Sequence, residues 1–112
     1  GPTPAKDNLV IGSIGPTTSS RMDTFSPRLI SLGQKAMIGK GNRSNEVVNA
    51  IKTYSAVYFA AVGGAGALYS KCIKSCDVIA FEELGCESVK KLEVKDFPLL
   101  VAIDSSGESL YR

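Results

Sequence analysis

The sequence predicts an α/β domain assembled from strand–helix–strand units. Three observations carry that prediction. Short apolar runs alternate with stretches of helical periodicity, giving the order strand, helix, strand, helix, strand over the first half of the chain. The run Ala56–Val62, AVYFAAV, has no polar alternation, which marks a central, parallel-type strand covered on both faces. Glycine- or hydroxyl-rich loops follow successive apolar runs at Gly15–Asp23, Gly39–Ser44 and Gly63–Ala67. In an open α/β sheet such loops gather at one edge, where ligands bind, so the three are expected to form one site.

In chain order, Gly1–Asn8 reads as an extended segment with a turn at its Lys-Asp-Asn cluster, and Leu9–Ile14 as a short strand weakened by Gly12 and Ser13. Asp23 or Thr24 is the expected N-cap of a helix that tolerates Pro27 in its first turn, presents Phe25, Leu29, Ile30 and Leu32, and stops at Gly33. Ala36–Ile38 is the next strand. Ser44 caps a helix through about Tyr54, with Val47, Val48, Ile51 and Tyr54 on its apolar face. The Gly63-Gly64-x-Gly66 loop leads into a short helix ending near Lys71; it lacks the spacing of a dinucleotide loop and is read as close helix–sheet packing. Cys76–Phe81 is a strand, Val89–Val94 an edge strand and Leu99–Ile103 a buried strand, closed by a hairpin-like turn at Asp104–Gly107. Glu82 and Glu83 are adjacent and so point in different directions, one carboxylate solvated and one structural rather than an acid/base pair.

Composition narrows the chemistry. A chain of 112 residues, 44% apolar and 21% charged, fits one soluble domain, here residues 1–112, and a net charge of +2 without a basic, aromatic-interleaved run argues against nucleic acid. The apolar stretch Ala56–Leu68 is too short to span a bilayer, and the absence of a leader-like opening favours a cytoplasmic location. The spacings of Cys72, Cys76 and Cys86 match no zinc pattern, so they are read as reduced, mostly packed thiols, and no metal ligand is assigned to this chain. Histidine is absent, which removes Ser-His-Asp and Cys-His arrangements and the commonest general base.

The chain is organised around Gly15-Pro16-Thr17-Thr18-Ser19-Ser20-Arg21-Met22-Asp23. Its hydroxyls and backbone N–H groups can donate to carboxylate oxygens, and a guanidinium can take both oxygens of one carboxylate. Arg21 just ahead of a helix N-terminus would add its charge to that end's partial positive charge. Two readings fit: an anion-holding loop, or a Ser/Thr-rich turn that caps the next helix.

The segments GPTTSSRMD, AMIGKG, YFAAVGGAGAL, FEELG and VKDFPLLVAIDSSG, in this order over nearly the whole chain, resemble the C-terminal domain, or beta subunit, of class I iron–sulfur fumarate hydratases and L(+)-tartrate dehydratases. The resemblance implies a swivelling β/β/α three-layer domain whose N-terminal part, with an Arg-Asp motif and a histidine, is missing ahead of Gly1. It implies an oligomeric hydro-lyase that reversibly dehydrates a 2-hydroxy C4 dicarboxylate, malate to fumarate or tartrate to oxaloacetate, and that is inactive without its partner. That partner, an alpha subunit or N-terminal domain, would ligate a [4Fe–4S] cluster that acts as Lewis acid on the departing hydroxyl. By motif position, Arg21 resembles the arginine that clamps a substrate carboxylate and Lys40 a second cationic contact. Thr17 resembles the residue that moves the carbon-bound proton, paired with an aspartate of the other domain; Thr18, beside it, is a substrate contact and the alternative for that role. A non-catalytic dicarboxylate-binding or assembly module on the same fold is the competing reading.

Overall fold

A computed structural model describes residues 1–5 and 9–111 of the chain, so the turn expected at Lys6-Asp7-Asn8 lies outside the described residues. The chain divides into two compact units, Pro16–Val62 with Leu99–Arg112, and Gly1–Gly15 with Gly63–Pro98.

The first unit holds helix α1 (Ser26–Ser31), strand β1 (Ala36–Gly39), helix α2 (Asn45–Tyr54), strand β2 (Val57–Ala60) and, from the end of the chain, a strand Leu100–Ile103. β1 and β2 run parallel, Ala36 opposite Val57 and Gly39 opposite Ala60, with α2 as the crossover between them. This is the predicted strand–helix–strand unit. β2 is central, as its uninterrupted apolar run implies, but its other neighbour, Leu100–Ile103, is antiparallel. The sheet is therefore mixed.

Ser44 caps α2 by accepting from the Val47 N–H at 3.3 Å, and Glu46 in the first turn complements the helix dipole. Val47, Ala50 and Ile51, spaced three and four apart, bury one stripe of α2 against Ile30, Met37, Tyr58 and Ile103. Complete burial of a Val, Ile or Met side chain contributes about 1.5–3 kcal/mol. Tyr54 departs from expectation: it lies in the last turn before the left-handed Ser55 (φ 56°, ψ 48°) and is exposed. The C-terminal strand is buried only in its second half, where Ala102 and Ile103 face inward, while Leu100 and Val101 are open to solvent. Asp104 Oδ1 accepts from the N–H groups of Ser106 and Glu108 at 2.9 and 3.1 Å, forming the expected tight turn.

The segment before α1 differs from the sequence reading. Neither Asp23 nor Thr24 caps the helix. Ser19–Met22 forms a 3-10 helix, the residue ahead of α1 is Phe25, which makes no side-chain cap, and the Asp23 carboxylate is committed elsewhere.

The second unit contains helix α3 (Gly66–Ser70), strands β3 (Ile73–Ala80) and β4 (Val89–Val94), paired antiparallel, with Leu100–Ile103 of the first unit then taking the label β5. β3 begins three residues earlier than predicted. Leu9–Ile14 is not a strand. Its backbone bends at 10–12 and ties to Thr3 through Gly12 N–H to Thr3 O at 3.1 Å and Thr3 N–H to Ser13 O at 3.0 Å. A Cβ on Gly12 would lie 2.2 Å from Thr3 O, so the glycine serves this close approach rather than a ladder. Tyr69 stacks on Phe97 with centroids 4.5 Å apart and donates to Pro98 O at 3.1 Å. Glu82 and Glu83 lie on a 3-10 segment, Glu82–Glu87, and both are exposed, so neither is the structural carboxylate expected of one of them.

Candidate functional site

β1 does not end cleanly at Gly39. Its backbone continues as a parallel bridge between Lys40 and Thr18: Lys40 N–H donates to Thr17 O at 3.1 Å, and Ser19 N–H donates to Lys40 O at 3.0 Å. Both main-chain groups of Lys40 are thus taken by the hydroxyl-rich loop. Glycine at position 39 is what permits this approach, because a Cβ there would lie 1.8 Å from Ser19 Oγ.

On this frame sit the side chains singled out in the sequence. Thr17, Thr18, Arg21 and Lys40 are all exposed. Arg21, on the 3-10 helix, donates through Nη2 to Thr17 Oγ1. Among the described residues, the Lys40 ammonium has no hydrogen-bond or ion-pair partner. The structure therefore brings all four together in one unit, on two loops joined by backbone. The third loop, Gly63–Ala67, belongs to the other unit, where Gly66 O accepts from Ile14 N–H at 3.1 Å.

Beneath the exposed face lies a polar cluster that the sequence reading did not single out. Arg43 is only 6% exposed. Its Nε donates to Asp23 Oδ1 at 2.7 Å, its Nη2 to Ser26 Oγ at 3.0 Å and its Nη1 to Met37 Sδ at 3.5 Å, and the guanidinium lies 4.8 Å from the centroid of the Tyr58 ring. The second Asp23 oxygen accepts from Ser44 N–H at 2.7 Å, so one carboxylate neutralises the buried cation and supports the start of α2. Tyr58, fully buried, lies 2.8 Å from Gly41 O and 3.0 Å from Ser19 Oγ. A phenol has one proton and a carbonyl can only accept, so the hydroxyl donates to Gly41 O and accepts from Ser19. Burial pushes the Tyr58 phenol above its ordinary value, with the Ser19 hydrogen bond pulling the other way.

A groove of about 320 Å³ opens behind the loop, walled by Thr17, Thr18, Met22, Leu29, Met37 and Arg43 among others. Arg21 and Lys40 do not line it, and the cation that does is paired with Asp23. The groove is apolar and its cation is already neutralised, whereas Arg21 and Lys40 lie on the exposed face.

Among the described residues, no three His, Cys, Asp or Glu side chains gather closely enough to hold a metal ion. The three cysteines are free thiols, Cys72 and Cys76 half-buried and Cys86 exposed. Their arrangement does not fit an iron–sulfur cluster on this chain. No helix among the described residues is long and apolar enough to cross a membrane.

A family model described as "Fumarase C-terminus" matches residues 1–112. The chain belongs to the fumarase C-terminus family. It is 36% identical over 114 residues to "Fumarate hydratase class I, aerobic" of Escherichia coli (strain K12), covering 100% of this chain and 21% of that protein. It is 39% identical over 113 residues to "Fumarate hydratase 2" of Leishmania major, covering 99% of the chain and 20% of the relative. With a Methanocaldococcus jannaschii protein provisionally named an L(+)-tartrate dehydratase beta subunit it shares 44% identity over 110 residues, 95% of the chain and 56% of the relative. The chain thus spans about a fifth of the fumarate hydratases and just over half of the beta subunit.

Proposed function

We propose that residues 1–112 act as the C-terminal-type part, on a swivelling β/β/α scaffold, of a hydro-lyase that reversibly dehydrates a 2-hydroxy C4 dicarboxylate, malate to fumarate or tartrate to oxaloacetate. The observation that carries this reading is the joined pair of loops: two exposed cations, Arg21 and Lys40, on backbone segments bonded to each other beside two exposed threonine hydroxyls. A dianion needs two cationic anchors, and anchors on a pre-ordered frame orient it at little entropic cost. Arg21 and Lys40 bind the carboxylates, with Thr17 and Thr18 as hydroxyl contacts.

Thr17 holds the proton-transfer role in this reading. An ordinary hydroxyl is a poor base, and here Arg21 donates a bond to it. A cation hydrogen-bonded to Oγ1 favours the deprotonated form. On dehydration Thr17 Oγ1 would take the carbon-bound proton of the substrate while its own proton goes to an aspartate of the partner, an iron–sulfur alpha subunit or N-terminal domain in a cytoplasmic oligomer, and on hydration the two protons would move back the other way. In this reading the [4Fe–4S] cluster belongs to that partner; among the described residues of this chain no cysteines gather to hold one.

The test is Arg21→Ala in the assembled enzyme, assayed for fumarate hydration and tartrate dehydration side by side. A charge-assisted bond of about 1.5–3 kcal/mol corresponds to a loss of roughly tenfold or more in kcat/KM. Unaltered kinetics would overturn the assignment and leave a non-catalytic module.

A further inference from the structure

We infer that Tyr58 and Arg43 are positioning residues that set the spacing between the two cationic anchors, and that they thereby select for a dicarboxylate. The inference rests on the functional reading above. Arg21 and Lys40 are nineteen positions apart in sequence, on different loops, and their long side chains are exposed. Their spacing is therefore decided by whatever locks the two backbones together. The ladder bonds at Thr17, Ser19 and Lys40 join the loops along one line only. A single line of bonds leaves a hinge.

Tyr58 and Arg43 close that hinge from beneath. The Tyr58 hydroxyl joins Ser19, the first residue of the 3-10 helix that carries Arg21, to Gly41, the residue after Lys40. Arg43 joins the second loop to the other end of the same helix. Its Nε holds Asp23, the C-cap residue, and its Nη2 holds Ser26, whose own hydroxyl donates to Met22 O at 3.0 Å. The two ends of the short helix are thus tied separately to the loop that carries Lys40. The cation–π contact couples the two ties, because the Arg43 guanidinium lies over the Tyr58 ring. None of these groups is exposed enough to anchor substrate itself: Arg43 is buried and charge-paired, and Tyr58 is wholly buried.

Loosening this arrangement should cost most for a ligand that must bridge both anchors, and little for one that uses a single anchor. The variant Tyr58→Phe keeps the ring and the cation–π contact and removes only the hydroxyl. Arg43→Lys keeps the charge but cannot hold Asp23, Ser26 and Met37 at once. In the assembled enzyme, calorimetric binding of succinate, a C4 dicarboxylate without the reacting groups, is compared with that of butyrate. Each variant is expected to weaken succinate tenfold or more and butyrate less than threefold, and to raise substrate KM in step with kcat within threefold of wild type. Equal weakening of both ligands, or no change in either variant, overturns the inference. Arg21→Ala is run alongside. If it weakens succinate while Tyr58→Phe and Arg43→Lys do not, only the positioning role fails; if it too leaves succinate binding unchanged, the functional reading fails and the positioning role with it.

Discussion

Gly39→Ala is the substitution whose consequence can be worked most directly. The added Cβ would lie 1.8 Å from Ser19 Oγ, 3.2 Å from Ser19 Cβ and 3.2 Å from Thr17 O. Carbon and oxygen without a covalent bond approach to about 3.3 Å, so the Ser19 contact must open by roughly 1.5 Å. Ser19 cannot simply rotate away, because it is buried and its hydroxyl is bonded to Tyr58. The Thr17 carbonyl is held by Lys40 N–H. Moving the loop outward by that amount breaks both ladder bonds. Overpacking costs about 1–3 kcal/mol and each lost hydrogen bond about 1 kcal/mol, giving roughly 3 kcal/mol against a total stability of about 5–15 kcal/mol. Amide hydrogen exchange of the intact protein reads this locally: the N–H groups of Ser19 and Lys40, both ladder donors, should lose about 100-fold in protection. Gly39→Ala with Ser19→Gly removes both Ser19 contacts and should recover at least half of the loss. Unchanged protection in the single variant, or a double variant no better than the sum of the two, would refute the steric argument.

Two further expectations follow from local geometry. Ser55 ends α2 at φ 56° and ψ 48°, a region costly for a side chain and free for glycine, so Ser55→Gly should stabilise the last turn of α2 by about 0.5–1 kcal/mol, read as slower amide exchange; faster exchange would contradict the strain. The Tyr58 phenol, raised by burial, stays protonated where an unfolded tyrosine, near pH 10, begins to ionise. Its stabilising contribution is therefore whole below about pH 10 and declines as pH rises toward the raised folded value. A phenolate absorbance titration of wild type minus Tyr58→Phe should place this ionisation above pH 10; a midpoint at or below it would contradict the burial argument.

What could be read from sequence was whatever depends on near neighbours. Ser44, Val47 and Ile51 define α2 within one helical turn each, although Ala50 rather than Tyr54 completes the buried stripe, and the unbroken apolar run Ala56–Val62 marks the central strand. Arg21 stood out because it closes a run of hydroxyl residues, and Lys40 because Gly39 allows a close turn that exposes it. Arg43 was hidden for the opposite reason: its partner Asp23 lies twenty residues away, and in sequence Asp23 looks like a helix cap. A signal was nonetheless present, since an arginine just before the Ser44 cap and an aspartate just after the loop are an unspent pair of charges. Tyr58 was read as apolar filling, which its ring is; nothing in a strand pattern says that its hydroxyl will find Gly41 and Ser19. Leu9–Ile14 had strand composition, and tertiary contact with Thr3 at Gly12 overrode it.

The bonds that join Lys40 to the hydroxyl loop are made by main chain alone. A peptide group is the same whatever side chain it carries, so the frame is indifferent to what stands at 17, 18 and 40. Structural duty has been moved to Gly39, Ser19, Arg43, Asp23 and Tyr58, leaving the outward positions free to vary without loss of shape. Such a division lets evolution, or an engineer, rewrite the chemistry of the surface residues one at a time while the buried ones keep the form.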